Sequence, residues 1–196
     1  MTKNNHIRHA GRARGALGMS IIELMLTISI VAVLAALATP SFTTVIQNSR
    51  IRSQSSDLMA NLAIARAEAA KRGLRVTLCP SSTYNQTPPS CTTGTLGTTW
   101  NLGYIVYVDQ DGSGTFESAN DVLITVSEPL AGNNTLVSAG FTNAPINELQ
   151  FRPSGATNLP AAGGSFKLCD SRAGNFGRAI TISVTGRALS ASATCP

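Results

Sequence analysis

Past His9 the chain has no histidine. Nucleophilic triads that join Ser or Cys to His, and most zinc sites, need an imidazole, so the commonest hydrolytic and metal-dependent chemistries are closed to it. No Cys-x-x-Cys pair occurs, which argues against thioredoxin-like and zinc-ribbon readings. Charge is scarce, at 13% of 196 residues, while Gly, Ser and Thr are plentiful. That balance suits a β-rich extracytoplasmic protein better than a charged cytosolic helical one. The formal net charge of +5 is local. Of the 15 Lys+Arg, Lys3, Arg8, Arg12 and Arg14 precede Gly18, where no acid occurs, leaving 11 against 10 Asp+Glu. Both histidines, His6 and His9, share that leader. The remainder is near neutral, so no strongly basic, partner-seeking surface is indicated.

What the chain does have is one long apolar run, Gly15–Pro40, "GALGMSIIELMLTISIVAVLAALATP". From Met19 to Ala38 the only ionisable side chain is Glu23. Roughly 20 residues at about 1.5 Å each make about 30 Å, a bilayer core. The basic residues before it place its N-terminal end in the cytoplasm. In an ordinary secretory signal the cleavage site follows the apolar core. Here the candidate cut, Gly18-Met19, precedes it, so cleavage leaves the run in place.

A basic leader ending in Gly18, then an apolar helix with Glu23 as fifth residue, resembles a type IV prepilin. The resemblance implies cleavage by prepilin peptidase after Gly18 and N-methylation of the new terminus, Met19, where most family members carry Phe. Pro40 matches a proline that many pilins have near the end of this segment. A carboxylate in a bilayer is costly and rarely accidental. The amine of Met19 and the carboxylate of Glu23 lie one helical turn apart, and the resemblance implies that Glu23 meets a neighbouring subunit's amine during assembly.

Pro40 is expected to kink or locally break the helix. Beyond it, Ile51, Leu58, Leu62, Ala65 and Ala69 fall on one helical face, and Gly73 follows Lys71-Arg72 as a C-cap. The period then changes to two. Strands are expected at Leu74–Cys79, Gly103–Val108, Asp121–Ser127, Glu148–Pro153, Ser165–Asp170 and Arg178–Leu189, with a Ser/Thr/Pro/Gly-rich loop over Ser81–Thr99. The expected fold is α+β: a long N-terminal membrane-plus-stem helix packed on an antiparallel β-sheet head. Its parts are a leader (1–18), a transmembrane and assembly helix (19–40), an amphipathic stem (41–72) and a periplasmic head (73–196). Four cysteines follow the apolar run. In an extracytoplasmic head disulfides are the default. Neighbour pairing, Cys79–Cys91 and Cys169–Cys195, is the expected choice among three connectivities.

"ANLAIARAEAAKRGLRVTLCPS", "WNLGYIVYVD", "LQFRPSG", "GSFKLCD" and "AITISVTGRA" stand in an order similar to the GspH/FimT family of minor pilins and pseudopilins. That resemblance implies a non-enzymatic subunit without cofactors. Its implied partners are prepilin peptidase, the inner membrane, and other minor and major pilins or pseudopilins. In the family Ala65-Arg66 and Glu68 stand where the stem enters the head; a solvated face with intrahelical pairing is the expected role here.

Two sharper sites are weighed. In "DQDGSGTFESAN" (Asp109–Asn120), Asp109, Asp111 and Ser113 have the spacing of the first three EF-hand ligands. Position twelve is Asn120 instead of Glu, and the flanks read as strands. An acidic turn is the favoured reading, with Asp121 available to a weaker, non-EF site. Some members of the FimT branch bind DNA through a Gly-Arg-x-Arg motif; Gly186-Arg187-Ala188-Leu189 lacks the second arginine. Arg172, Arg178 and Arg187 would have to cluster, and Tyr84 and Trp100 would have to stack on bases, for DNA to be a partner. Core packing or loop anchoring is the favoured role for both rings.

Overall fold

A computed structural model describes residues 18–92, 100–141 and 148–196; the side chains of 37–41 also lie outside the described set. The chain divides into two units, Met1–Thr43 and Thr44–Pro196. One helix, α1 (Ile21–Arg72), contributes to both. It runs through Pro40 without the expected break, since a proline removes only one ladder bond when the flanking turns continue. It ends where the sequence says it should. Gly73 adopts φ 67° and its N–H bonds the Ala69 carbonyl at 3.0 Å, while Lys71 and Arg72 both pair with Glu68.

The strands are β1 (Arg75–Pro80), β2 (Tyr104–Asp109), β3 (Val122–Ser127), β4 (Thr135–Ala139), β5 (Leu149–Phe151), β6 (Gly164–Cys169), β7 (Gly174–Ile182) and β8 (Ala188–Cys195). They form two four-stranded antiparallel sheets, ordered β3-β2-β1-β5 and β4-β6-β7-β8. This corrects the expectation in three places. The head has two sheets rather than one. β4 has no counterpart among the expected strands. The segment Arg178–Leu189, expected as one strand, is the end of β7, a turn, and the start of β8, because Gly186 at φ 77° reverses the chain.

All five stem residues of the expected face are buried, and they share one core with both sheets: Val76 and Leu78 of β1, Val106 and Val108 of β2, Phe166 and Leu168 of β6, and Ile180 and Ile182 of β7. Each fully buried aliphatic side chain here contributes about 1.5–3 kcal/mol. A second cluster, Cys79, Ile105 and Tyr107 with Cys91 and Phe116, covers the other face of the first sheet. β2 is therefore buried along its whole length. Polar ties join stem to head: Asn61 Nδ2 donates to the Tyr104 hydroxyl at 2.7 Å, and Gln54 Nε2 donates to the Ala131 carbonyl at 3.0 Å.

The two disulfides are Cys79–Cys91 and Cys169–Cys195, the neighbour pairs expected from the sequence. The first closes the loop after β1. The second joins the ends of β6 and β8 over Gly177 of the intervening strand β7. Non-reducing peptide mapping of the oxidised protein should yield these two linked pairs; crossed pairs or free thiols would refute the connectivity.

Candidate functional site

Gly18 and Met19 precede α1 and are exposed, and nothing lies within 4 Å of where a Gly18 Cβ would be. The Gly18-Met19 peptide thus stands on open chain just ahead of the helix. α1 begins at Ile21, with the N–H groups of Glu23 and Leu24 both bonding the Ser20 carbonyl at 3.1 Å. Met19 is therefore outside the helix, and the one-turn relation to Glu23 is not formed in the full-length chain. Before cleavage Met19 has no free amine, and the first turn of a helix leaves N–H groups without intrahelical partners. Glu23 lies in that first turn, where the helix dipole favours a carboxylate.

From Met19 to Leu34 every large apolar side chain is between 49% and 80% exposed. Two hydroxyls in this stretch turn back on the helix: Thr27 Oγ1 donates to the Leu24 carbonyl at 2.8 Å and Ser29 Oγ to the Met25 carbonyl at 2.6 Å. Both are bonded within their own helix. Neither hydroxyl stands out in the sequence. Among the described residues no helix is long and apolar enough to cross a membrane. The Pro40 side chain lies outside the described set.

The acidic turn between β2 and β3 gathers Asp109, Asp111 and Asp121, each offering an oxygen within 4.8 Å of the others, a donor set that could hold a cation. Ser113, the third expected ligand, turns away: its hydroxyl donates to Glu117 Oε2 at 2.9 Å. The turn also closes on its own donors. Asp109 accepts from the N–H groups of Gly112 (2.7 Å) and Gly114 (3.2 Å) and from Gln150 Nε2 (3.1 Å). Asp121 accepts from Gln110 and Glu117 N–H, and Asp111 from Ser113 N–H. Burial pushes the Asp109 carboxyl above its ordinary value, against the lowering effect of the Gly112 and Gly114 bonds. Asp111, held by Ser113, is lowered. Burial, then the charges of Glu148, Asp109 and Asp121, push the Tyr107 phenol well up.

Among the described residues Arg172, Arg178 and Arg187 do not line one common cavity. Arg172 sits between β6 and β7, bonded to Asp170 and, at 2.9 Å, to Asn48 Oδ1, with its guanidinium 4.2 Å over the Phe176 ring. Arg187 lies past the other end of β7, in a groove lined by Gly163, Thr181 and Ser183. Arg178 lies between them and lines a cavity with Arg52 of α1. Trp100 is wholly buried; its Nε1 donates to Ser138 Oγ at 3.1 Å and its ring meets Phe166 edge-on. It is core, as favoured. Tyr84 is partly buried and lies beside Gly103.

Of the face expected to be solvated, Ala65 is buried, Glu68 pairs within the helix, and Arg66 is exposed but pairs outside its helix. Its Nη2 donates to the Thr185 carbonyl (3.1 Å) and its Nη1 to the Gly186 carbonyl (3.3 Å), tying the stem to the β7–β8 turn. Arg66→Ala should lower stability by about 1–2 kcal/mol, as loss of charged hydrogen bonds to backbone does. Thermal melting measures it, and an unchanged midpoint would make the tie incidental.

A family model described as type II transport protein GspH matches residues 54–186. The chain belongs to the GspH family. Among solved structures this GspH-family chain is similar to the type IV minor pilin FimU of Pseudomonas aeruginosa PAO1. Identity is 18%, over 74% of this chain and 99% of that one, with a TM-score of 0.51. At that identity the likeness shows the fold: a helix packed on antiparallel sheets, as in pilins. A second crystal form of FimU covers 76% of this chain and 90% of its own, at 16% identity and a TM-score of 0.48. No curated protein sequence matches the chain.

Proposed function

We propose that this GspH-family chain is a minor pilin of a type IV pilus and does no chemistry of its own. A prepilin peptidase cuts after Gly18 and Met19 is N-methylated. The apolar helix holds the subunit in the inner membrane with its head in the periplasm, and the subunit then joins other minor pilins at the filament tip. The observation that carries this reading is the single helix on which every large apolar side chain from Met19 to Leu34 is exposed around one carboxylate, Glu23. Such a surface needs lipid first and other stems afterwards. The family model's own description favours a second reading, a minor pseudopilin of a type II secretion system.

Glu23 then sets register during assembly. Once water is excluded by packed stems, its carboxylate needs a cation, and an amine freed at Met19 of a neighbour supplies one. An out-of-register subunit leaves both charges unpaired, at several kcal/mol. Gly18→Leu should leave the membrane-bound product at its full length; shortening by the leader would remove the cleavage assignment. Glu23→Val should be processed normally yet be nearly absent from sheared filaments, and wild-type incorporation would sink the register role. Recovery of the wild-type chain with a secretion complex, and never in filaments, would favour the second reading.

A further inference from the structure

Two arginines of the unit Thr44–Pro196 line shared cavities that no carboxylate lines. Arg52 extends from α1 and Arg178 from β7, and both line an open cavity of about 450 Å³ with Ser55 and Ser190. Both also line the adjoining cavity of about 230 Å³, with Phe176 and Ser192. Among the described residues the ion pairs are made by Lys71, Arg72 and Arg172, and neither Arg52 nor Arg178 takes part in one. Their backbones are fixed. Arg52 is on a continuous helix, and Arg178 is paired on both sides, with Leu168 of β6 and Ser192 of β8. Two like charges thus border the same space, an arrangement that an oxyanion between them would stabilise. Ser55 and Ser190 oxygens lie 3.3 Å apart at the same place, so hydroxyl donors border the gap. Paired guanidinium forks with hydroxyls beside them are the donor set that suits phosphate oxygens.

The position along the chain says which phosphate. Residues 24–49 carry no ionisable side chain, so Arg50 and Arg52 are the first charges after Glu23. As a helix that stretch is about 40 Å long, the thickness of a bilayer with its headgroup layers. Val45 and Ile46 are exposed immediately before the charges begin, and Phe176, 43% exposed, borders the same cavity as the two arginines. Apolar side chains, then an aromatic ring, then arginines is the order met on leaving a bilayer through its interface.

We propose that Arg52 and Arg178 clamp the phosphodiester of an anionic phospholipid headgroup in the outer leaflet of the membrane that holds α1. This rests on the membrane-anchored reading of the protein. A nucleic-acid backbone offers the same phosphate, but Asp170 already neutralises Arg172 and Arg187 lies beyond the far end of β7. A subunit entering a filament has to exchange this headgroup for another anion, so the clamp retards extraction of unassembled subunits.

The test uses the mature full-length chain in nanodiscs of phosphatidylcholine alone or with phosphatidylglycerol. Native mass spectrometry counts the lipids retained after ejection. The wild type should keep phosphatidylglycerol preferentially. Arg52→Gln and Arg178→Gln should each cut that preference about fivefold, and the double variant should abolish it, at an unchanged melting temperature. Arg187→Gln should leave it intact. Equal retention by the double variant overturns the proposal, as does an equal loss in Arg187→Gln. Displacement of the lipid by millimolar inorganic phosphate would make this a general anion site. Displacement by short duplex DNA at physiological salt would make it a nucleic-acid site. Either result overturns the lipid assignment. Failure of the chain to enter nanodiscs of either composition removes the membrane reading and the clamp with it. Entry into both without an arginine-dependent preference removes the clamp alone.

Discussion

Gly186→Ala should lower the melting temperature of the head by about 6–12 °C, corresponding to a loss of about 3 kcal/mol for a chain of this size. Two costs act together. Gly186 sits at φ 77°, where an L-residue is strained by about 1–2 kcal/mol. A Cβ there would also stand 2.0 Å from the Gly155 carbonyl oxygen. That oxygen cannot retreat easily. The loop carrying it is stitched to the β7–β8 turn through Thr157 N–H to the Val184 carbonyl (2.8 Å), and Arg66 clasps the turn from the stem side. Gly73→Ala separates the two costs. Gly73 has a similar φ of 67° but open space around its missing Cβ, so it should show the backbone strain alone, about 1–2 kcal/mol. Equal shifts in the two variants would mean that the Gly155 contact relaxes without cost.

Asp170→Ala should be about as damaging, with a loss of about 3 kcal/mol, the lower end of the cost of removing one partner from a buried ion pair. The Asp170 side chain is 3% exposed and that of Arg172 16%, and Arg172 donates to Asp170 Oδ2 through Nη2 at 2.6 Å and through Nε at 2.9 Å. Without Asp170 the guanidinium keeps only Asn48 and the Phe176 ring, and its Nη1 is already a buried donor with no partner. Arg172→Ala should cost less than Asp170→Ala, because it removes that orphan too. The pair also sets a pH dependence. Burial pushes the Asp170 carboxyl up, but the side-chain and backbone bonds from Arg172 more than offset this, and its pKa lies below the ordinary 3.8. A carboxyl lowered by folding contributes stability that is complete above its unfolded value and is lost as pH falls through the folded one. Acid titration of the melting temperature should therefore show a fall below about pH 4 that is shallower in Asp170→Asn. Identical acid limbs in the two proteins would contradict the assignment.

Much of this architecture is written in local patterns. The stem face could be read because Ile51, Leu58, Leu62, Ala65 and Ala69 repeat at helical spacing against a single core. β1, β2 and β6 could be read because β-branched and aromatic residues stand between turn residues. β8 could not. Its sequence, ALSASATC, is small and polar, and most of it is exposed, so an edge strand with little to bury leaves no alternation to find. The division into two sheets was equally hidden, since it depends on β5 pairing with β1 across some seventy intervening residues. The long N-terminal helix was legible from its unbroken apolar run. The role of Arg66 was not, because its acceptors are backbone carbonyls of residues 185 and 186, which carry no compositional mark. Nor does spacing show that Arg52 and Arg178, far apart in the chain, share a cavity.

The bond between Cys169 and Cys195 has a mechanical consequence. β8 is an edge strand whose last residue is Cys195. Pulled from a free end, such a strand peels, breaking its ladder one hydrogen bond after another under a small force. Here the end is welded to β6, two strands away, and the weld crosses β7 at Gly177. Tension reaching residue 195 passes straight into β6, and β7 and β8 lie inside a closed covalent ring that cannot lengthen. A pull at residue 195 therefore bypasses both strands and loads β6 instead.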